Sequence, residues 1–378
     1  MYDGSFILSD KKTFTIDSKQ KILVLGPCAA ESQQQLLEAA QGVIAACKHL
    51  SAFRVIFRAG AWKPRTQPGF FEGMGERALG WLRQIQDDFG IEVATEVATE
   101  QQTRLALSYG IRTLWIGART TTNPFLVRQI ADACSEWLKQ NSRASSVNLT
   151  IMVKNPVSPD LMLWQGALLR FAGIVGEENV VAVHRGFTGG TSGLRNAPKW
   201  SLALQLHHLM PHVPLLLDPS HLAGDAVLVP QVAKKAVELA YNGLMIEMHP
   251  KPEQALSDAA QQLTPRGLSD LLRDLYATEV TSSQATPSTA ATGLAAFRAQ
   301  FDELDDELWQ LILRRMELSV QIGNYKRQHH IPVLQSDRWQ QLVHDRLVWA
   351  EKNNLSEENV MRILDAIHDE SRRQQGRD

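Results

Sequence analysis

Lys21-Ile22-Leu23-Val24-Leu25-Gly26-Pro27-Cys28-Ala29-Ala30-Glu31-Ser32 opens the patterned part of the chain, and its reading decides the fold. Ile22–Leu25 is an unbroken aliphatic run and reads as a buried strand. Gly26-Pro27 stops the run, and Cys28 falls where that strand opens into a loop. A thiol there is either a small, inert core residue or a poised metal ligand. Partners elsewhere in the chain must decide between the two.

Working outward, seven more short aliphatic or β-branched runs follow: Arg54–Phe57, Glu92–Glu96, Thr113–Ile116, Thr150–Lys154, Val180–His184, Pro214–Leu217 and Leu244–Met248. Amphipathic stretches such as Gln33–His49, Gln101–Tyr109, Phe125–Lys139 and Gln231–Tyr241 alternate with them. This alternation argues for parallel βαβ units. Eight such units close most economically into a (β/α)8 barrel of the TIM type. A doubly wound open sheet is the competing architecture.

The composition changes at Thr278–Gly293, a Ser-, Thr- and Ala-rich stretch with Pro287 that reads as a linker. Beyond it Leu294–Gln328 reads as one long helix, with Phe301, Leu304, Leu308, Leu311, Ile312 and Ile322 at helical spacing. Pro332 breaks the pattern, and helices are expected over Asp337–Lys352 and Ser356–Gln375. The expected organisation is therefore a barrel domain over 1–277, a linker over 278–293 and an all-α three-helix domain over 294–378.

With 378 residues the chain has material for two or three domains. Hydrophobic residues make up 44 % and charged residues 21 %, and the formal charge of −2 offers no basic field for nucleic acid or a membrane surface. Three cysteines, Cys28, Cys47 and Cys134, lack paired spacing, so a reducing compartment is favoured over a disulfide framework. The first residues lack the features of a secretory leader, and no run reaches membrane-spanning length, so the expected location is the cytoplasm.

Catalytic groups of a parallel barrel sit on the loops after the strands. Arg58, Lys63 and Arg65 follow the second strand, Arg119 follows the fourth, Lys154 ends the fifth and Arg185 follows the sixth. Each alone reads as a solvated surface cation. Together, on one rim, they suit phosphorylated or carboxylated substrates. Gly117-Ala118-Arg119 adds small residues that let backbone N–H groups approach a phosphate. The seventh strand leads into Asp218-Pro219-Ser220-His221, the eighth into Glu247-Met248-His249-Pro250, and Asp258 lies in the loop beyond. Cys28, His221, Glu247 and Asp258 thus share the rim on strands that neighbour one another in a closed barrel. A thiolate, an imidazole and two carboxylates suit Mn²⁺, Fe²⁺, Co²⁺ or Zn²⁺ better than Ca²⁺ or Mg²⁺. His249 is a rival ligand, and either histidine also reads as a hydrogen-bonded structural residue.

Residues 21 to about 276 resemble the metal-dependent 3-deoxy-D-arabino-heptulosonate 7-phosphate (DAHP) synthases. The segments that carry the resemblance are Gly26–Ser32, Lys63-Pro64-Arg65-Thr66, Ile116-Gly117-Ala118-Arg119, His184-Arg185-Gly186, Asp218–His221 and those around Glu247 and Asp258. The resemblance implies condensation of phosphoenolpyruvate with erythrose 4-phosphate, using one divalent transition metal (Mn, Fe, Co or Zn) per barrel. Lys63-Pro64-Arg65-Thr66 distinguishes the chain from the related eight-carbon sugar-acid synthases, whose loop carries Asn before the Arg. By the same resemblance Cys28, His221, Glu247 and Asp258 are metal ligands. Ala118, Arg119, Lys154 and Arg185 hold the phosphoenolpyruvate phosphate. Arg58 and Lys63 lie near its carboxylate, and Arg65 and Thr66 bind erythrose 4-phosphate. Lys63 and Glu96 are the candidates for proton transfer.

On the long helix Arg315 lies on the stripe of Leu304, Leu308 and Leu311, and Lys326 falls on nearly the same face. A cation on an apolar stripe needs an anion or snorkels at its edge. A helix of this length outruns what so small a domain covers alone, so an intertwined homodimer is expected. The tail resembles the all-helical chorismate mutases, which implies rearrangement of chorismate to prephenate. Arg298, Arg315, Lys326, Arg338, Ser371 and Gln375 match that family's binding positions, with Arg298 expected to reach the partner chain's site. Gln335 and Trp339 stand where that family often carries carboxylates. The expectation is a bifunctional enzyme of the shikimate pathway, regulated through its tail. The alternative is a tail that mainly binds prephenate or chorismate and holds two chains together.

Overall fold

A computed structural model describes residues 21–141, 148–189, 193–281, 289–333 and 335–375. Its barrel strands are β1 (Ile22–Gly26), β2 (Arg54–Arg58), β3 (Glu92–Val97), β4 (Thr113–Ile116), β5 (Thr150–Lys154), β6 (Val180–His184), β7 (Leu215–Leu217) and β8 (Gly243–Glu247). Neighbours pair in parallel in chain order, and β8 returns to β1 with Gly26 opposite Glu247, so the sheet is a closed barrel. The open-sheet alternative is thereby excluded. The connecting helices are α1 (Gln33–Cys47), α2 (Glu76–Phe89), α3 (Glu100–Ser108), α4 (Ala118–Thr121), α5 (Pro124–Asn141), α6 (Leu161–Val175), α7 (Trp200–Leu209), α8 (Pro219–Ala223), α9 (Val229–Glu238) and α10 (Pro265–Thr281).

Side chains on a strand alternate between its two faces, and this period divides the core into two layers. Leu23, Leu25, Phe57, Ile116, Val153, Leu217 and Ile246 point outward and pack against helical residues such as Leu36, Leu79, Ile130, Leu168 and Leu206. Ile22, Val24, Ile56, Ala94, Trp115, Met152, Val183, Leu216 and Met245 fill the barrel interior. Gly26 turns the chain off β1 with φ +145°, and a Cβ there would meet the Arg58 carbonyl oxygen at 2.2 Å. Only glycine permits this approach of β1 to β2. Ser32 then caps α1 by accepting a hydrogen bond from the Gln35 amide.

The chain divides into two compact units, and the first ends at Gln300. The second begins at Phe301 and holds most of α11 (Thr289–Gln328) with α12 (Ser336–Lys352) and α13 (Glu357–Gln375). The expected linker at 278–293 is thus entered by α10 from one side and α11 from the other. Of that stretch, residues 282–288 lie outside the described residues. α11 begins at Thr289, upstream of the expected start at Leu294, and the unit boundary falls inside it. At 40 residues α11 is about 60 Å long. Beyond Phe301 the only buried apolar residues among the described ones are Met316 and Ala350, while Phe301, Leu304, Leu308, Leu311, Leu318 and Ile322 are exposed.

His184 ends β6 with no exposure, edge-on to the Trp200 ring. One ring nitrogen lies 2.9 Å from the Tyr241 hydroxyl and the other 2.6 Å from the Pro198 carbonyl. Burial lowers its pKa to about 4, against the pull of the Pro198 carbonyl, which favours the charged form. The unfolded chain therefore binds this proton first as the pH falls. The stability contributed by neutral His184 is complete above about pH 6.5 and is lost as the pH falls toward about 4. Urea midpoints measured between pH 7 and pH 4.5 should fall less steeply in His184→Gln than in the parent, while the variant starts lower at pH 7.

Candidate active site

The inward layer of the barrel changes character at its C-terminal end. Two residues beyond Ile56, Ala94, Met152, Val183, Leu216 and Met245 come Arg58, Glu96, Lys154, Arg185, Asp218 and Glu247. The period that fills the interior with apolar side chains thus sets a charged layer directly above them.

Arg58 is almost completely buried. Its guanidinium lies 4.8 Å from the Trp115 ring centroid and donates to Glu247 Oε1 at 3.0 Å. Its Nε and NH1 have no hydrogen-bond partner among the described residues, so two charged donors remain to be satisfied by an anion or water. Glu247 Oε2 accepts from Gln261 at 2.7 Å, and the Glu247 amide donates to Ser220 Oγ. Burial pushes the Glu247 pKa upward, but His221 and Arg58 outweigh it, so the carboxyl stays below its ordinary value and ionised.

Ligand atoms of Cys28, Glu247 and Asp258 lie within 4.8 Å of one another. His221 Nε2 approaches Glu247 Oε1 to 3.7 Å, while its Nδ1 is 2.9 Å from Asp218 Oδ2. Asp218 also caps the five-residue α8 by accepting from the His221 amide, so one carboxylate fixes both the backbone and the ring of this histidine. Cys28, Glu247 and Asp258 form a group that could hold a borderline divalent ion, and His221 adjoins it through Glu247. His249, the rival histidine, instead lies 3.5 Å from Glu31 Oε2 and accepts from the Lys251 amide. Cys28 belongs to the buried chain wall and to this cluster at once. Burial and then the Glu247 charge push its thiol pKa up to about 12, partly offset by Lys63. Lys63 Nζ donates to Cys28 Sγ at 2.7 Å and to Asp258 Oδ2 at 2.8 Å. Burial opposes the charge on Lys63, but Cys28, Glu247 and Asp258 raise its pKa and keep it an ammonium.

Beside this cluster opens a cavity of about 350 Å³ whose cationic lining comprises Lys63, Arg65, Arg119, Lys154, Arg185 and Arg195. Thr66, Ala118, Glu96, His221 and Asp258 face the same space. Lys154 is buried and donates to Asp218 Oδ2 at 2.8 Å. Arg119 donates to the Pro64 carbonyl at 3.1 Å and to Thr66 Oγ1 at 3.2 Å, which joins the loop after β4 to the one after β2. Glu96 accepts from Trp115 Nε1 at 2.8 Å. Every barrel residue singled out in the sequence therefore lies at this end, with Arg58 at its floor. Residues that the sequence did not single out are also there: Asp218, Ser220, Gln261 and Gln262 support the cluster, and Arg195 reaches Asp258 Oδ1 at 3.4 Å and Gln261 Oε1 at 2.8 Å. Asp218 had a readable signal, the helix-capping position three residues before His221. The glutamines and Arg195 had none.

In the helical unit Arg315 on α11 donates to Ser371 Oγ on α13 and to the Ile367 carbonyl. Lys326 Nζ donates to the Val333 carbonyl at 2.7 Å and to Gln375 Oε1 at 3.2 Å. The structure thus joins Arg315 with Ser371 and Lys326 with Gln375. Arg338 is exposed and makes neither contact, and Arg298, also exposed, lies before Phe301 in the first unit. Gln335 lines an apolar hollow of about 380 Å³ with Lys326, Leu318, Ile322, Tyr325 and Ile331. Trp339 stacks on His368 with ring centroids 3.9 Å apart.

Residues 5–282 match the model of the DAHP synthetase I family, and residues 297–376 match that of chorismate mutase type II. A phospho-2-dehydro-3-deoxyheptonate aldolase of Thermotoga maritima is 30 % identical over 67 % of this chain and 68 % of its own length. A 2-dehydro-3-deoxyphosphooctonate aldolase of Protochlamydia amoebophila is 28 % identical over 70 % of this chain and 95 % of its own. Among solved structures, the DAHP synthase of Thermotoga maritima superposes with a TM-score of 0.58 at 25 % identity, covering 69 % of this chain and 70 % of that one.

Proposed function

Because this chain belongs to the DAHP synthetase I family across its barrel and carries a chorismate mutase region behind it, we propose that it is a bifunctional enzyme that condenses phosphoenolpyruvate with erythrose 4-phosphate and rearranges chorismate to prephenate. The observation that carries the first activity is the pairing, in one barrel mouth, of a Cys28, His221, Glu247 and Asp258 cluster with a cavity lined by six cations. Two substrates that repel one another as anions need such a lining to be held in reacting geometry. Orientation of this kind is worth up to about 7–11 kcal/mol.

In this reading Arg119, Lys154, Arg185 and the backbone at Ala118 hold the phosphate of phosphoenolpyruvate. Its carboxylate takes the two unsatisfied N–H groups of Arg58, with Lys63 beside it. Arg65 and Thr66 hold the phosphate of the aldose. A divalent transition ion held by Cys28, His221, Glu247 and Asp258 supplies Lewis-acid polarisation of the aldehyde when bound. The enol carbon of phosphoenolpyruvate bonds to that aldehyde carbon, and the Lys63 ammonium gives a proton to the aldehyde oxygen. Water adds to the former enol carbon and Glu96 takes one of its protons; the bond from that carbon to the phosphate oxygen then breaks as the new hydroxyl becomes the ketone, its proton leaving with phosphate. Full-length protein supplied with phosphoenolpyruvate should release phosphate with erythrose 4-phosphate and much less with arabinose 5-phosphate, and a chelator should stop it until Mn²⁺ or Zn²⁺ is restored. Equal rates with both aldoses would defeat the substrate assignment.

For the tail, we propose that Arg315, Lys326, Arg338, Ser371 and Gln375, with Arg298 of a second copy, clamp the dianion in its compact conformer. The links from Arg315 to Ser371 and from Lys326 to Gln375 support this reading. Chorismate disappearance in the full-length protein should fall at least about a hundredfold in Lys326→Ala. A second reading, a regulatory module that binds prephenate with little turnover, has support from Trp339, whose stacked ring cannot hydrogen-bond a hydroxyl as a carboxylate does. It predicts no turnover above the thermal background. In either reading a ligand at the tail inhibits the barrel, and unchanged barrel kinetics at saturating prephenate would count against that regulation.

The exposed apolar face of α11 and the sparse core beyond Phe301 support a homodimer formed through the tail. Sedimentation should give twice the chain mass, and Leu308→Glu should lower it. No described helix is long and apolar enough to cross a membrane. With three free cysteines, this supports a cytoplasmic enzyme.

A further inference from the structure

The cations of the barrel cavity repel one another, and a half-buried guanidinium among them swings toward water unless something holds it. Arg185 is such a group. Burial lowers its pKa, the nearby Arg195 and Arg119 lower it further, and Asp218 opposes them. Its NH1 donates to Asn196 Oδ1 at 3.0 Å. From the other end of the same amide, Asn196 Nδ2 donates to the His221 carbonyl at 2.7 Å. Asn196 is buried and lies in the loop after β6, held by backbone hydrogen bonds from its amide to Leu222 and between Ala197 and Phe187.

We propose that Asn196 is a positioning residue that holds Arg185 in place for an anion and ties it to the segment that carries His221. The chemistry of the two partners selects the side chain. A guanidinium only donates and a carbonyl only accepts, so the bridge needs an acceptor and a donor on one short planar group. A carboxylate would serve Arg185 better, but it would neutralise the charge intended for the ligand and would repel the His221 carbonyl. The amide orients the cation and leaves its charge available. Space has been made for this bridge: Gly186 has φ +79°, and a Cβ there would lie 2.7 Å from Asn196 Cβ. Arg185 is also fixed from its backbone. Its amide donates to Asn155 Oδ1 at 2.7 Å, and Asn155 Nδ2 donates to the Pro156 and Gly186 carbonyls, both at 2.8 Å. Asn155 sets where the arginine begins, and Asn196 sets where it ends.

The inference rests on the reading of Arg185 as a phosphate-holding group, and its test separates the two. Asn196→Asp and Asn196→Leu are made in the full-length chain, with Asn196→Ser as a milder change should either fail to fold. Binding of inorganic phosphate is measured by calorimetry, Mn²⁺ affinity by chelator competition, and unfolding by heat. Asn196→Leu loses the hydrogen bond to the charged group and Asn196→Asp cancels its charge, so phosphate binding should weaken by at least about tenfold in both. Mn²⁺ binding should weaken in Asn196→Leu, with unfolding temperature little changed. Where phosphoenolpyruvate is turned over, its KM rises and that of the aldose stays within about twofold. Phosphate and Mn²⁺ affinities that match the parent would overturn the proposal. A loss of both that tracks a fall in unfolding temperature would overturn it too, since that is what a merely structural residue does. Absence of turnover in the parent would defeat the substrate assignment and leave the binding comparison intact.

Discussion

Asp218 and Glu247 are carboxylates with no exposure, and the barrel mouth is organised by the need to compensate them. An ionised group cannot remain in a protein interior without partners. Asp218 has Lys154, the His221 ring and the His221 amide; Glu247 has Arg58, Gln261 and a neighbouring imidazole. The two ion pairs cross between strands: Lys154 joins β5 to the loop after β7, and Arg58 joins β2 to β8. Buried ion pairs are poor sources of stability, because desolvation offsets much of their attraction. Their place at the functional end follows from what they hold: two cations and one imidazole at defined positions beneath a cavity.

The compensation is uneven. Lys154 and Arg58 are each tied to a carboxylate, but Arg58 keeps two donors unsatisfied, and the rim cations Arg65, Arg119 and Arg185 have no carboxylate within hydrogen-bond reach among the described residues. Charge is balanced at the floor of the barrel mouth and left in excess above it. That excess, in a chain with a formal charge of −2, is local and matches anionic ligands rather than a polyanion. The neutral amides of Asn155 and Asn196 belong to the same logic, because they orient a cation without cancelling it.

The helical unit answers a different constraint. Its core is thin, and the helix that supplies Arg315 and Lys326 also carries the exposed apolar stripe. Arg315, Lys326 and the exposed apolar stripe therefore share one element, α11. The indole of Trp339 finds its partner in His368 on α13, so this departure from the family pattern is packed into the helix pair.

Much of this was legible in sequence because it is local. Aliphatic runs alternating with amphipathic stretches determined a parallel barrel, and residues two positions beyond the last apolar strand residue were bound to gather at one rim, as Arg58, Lys154 and Glu247 do. The start of α11 was not legible, because Ser-, Thr- and Ala-rich composition suits both a linker and a helix. Strand-end position alone left His221 and His249 open, and only the family resemblance favoured His221. Both follow strand ends beside an acidic residue, and only the folded barrel sets one beside Glu247 and the other beside Glu31. Asn155 and Asn196 lay further still from recognition. An amide acquires a role from the groups it meets, and those groups, on β6 and α8, are brought to it by the fold alone. The sequence by itself determined the architecture and the chemical character of the site, because both follow from strand period and strand-end position. Tertiary structure alone decided which side chains act on one another, because such contacts depend on distances between segments far apart in the chain.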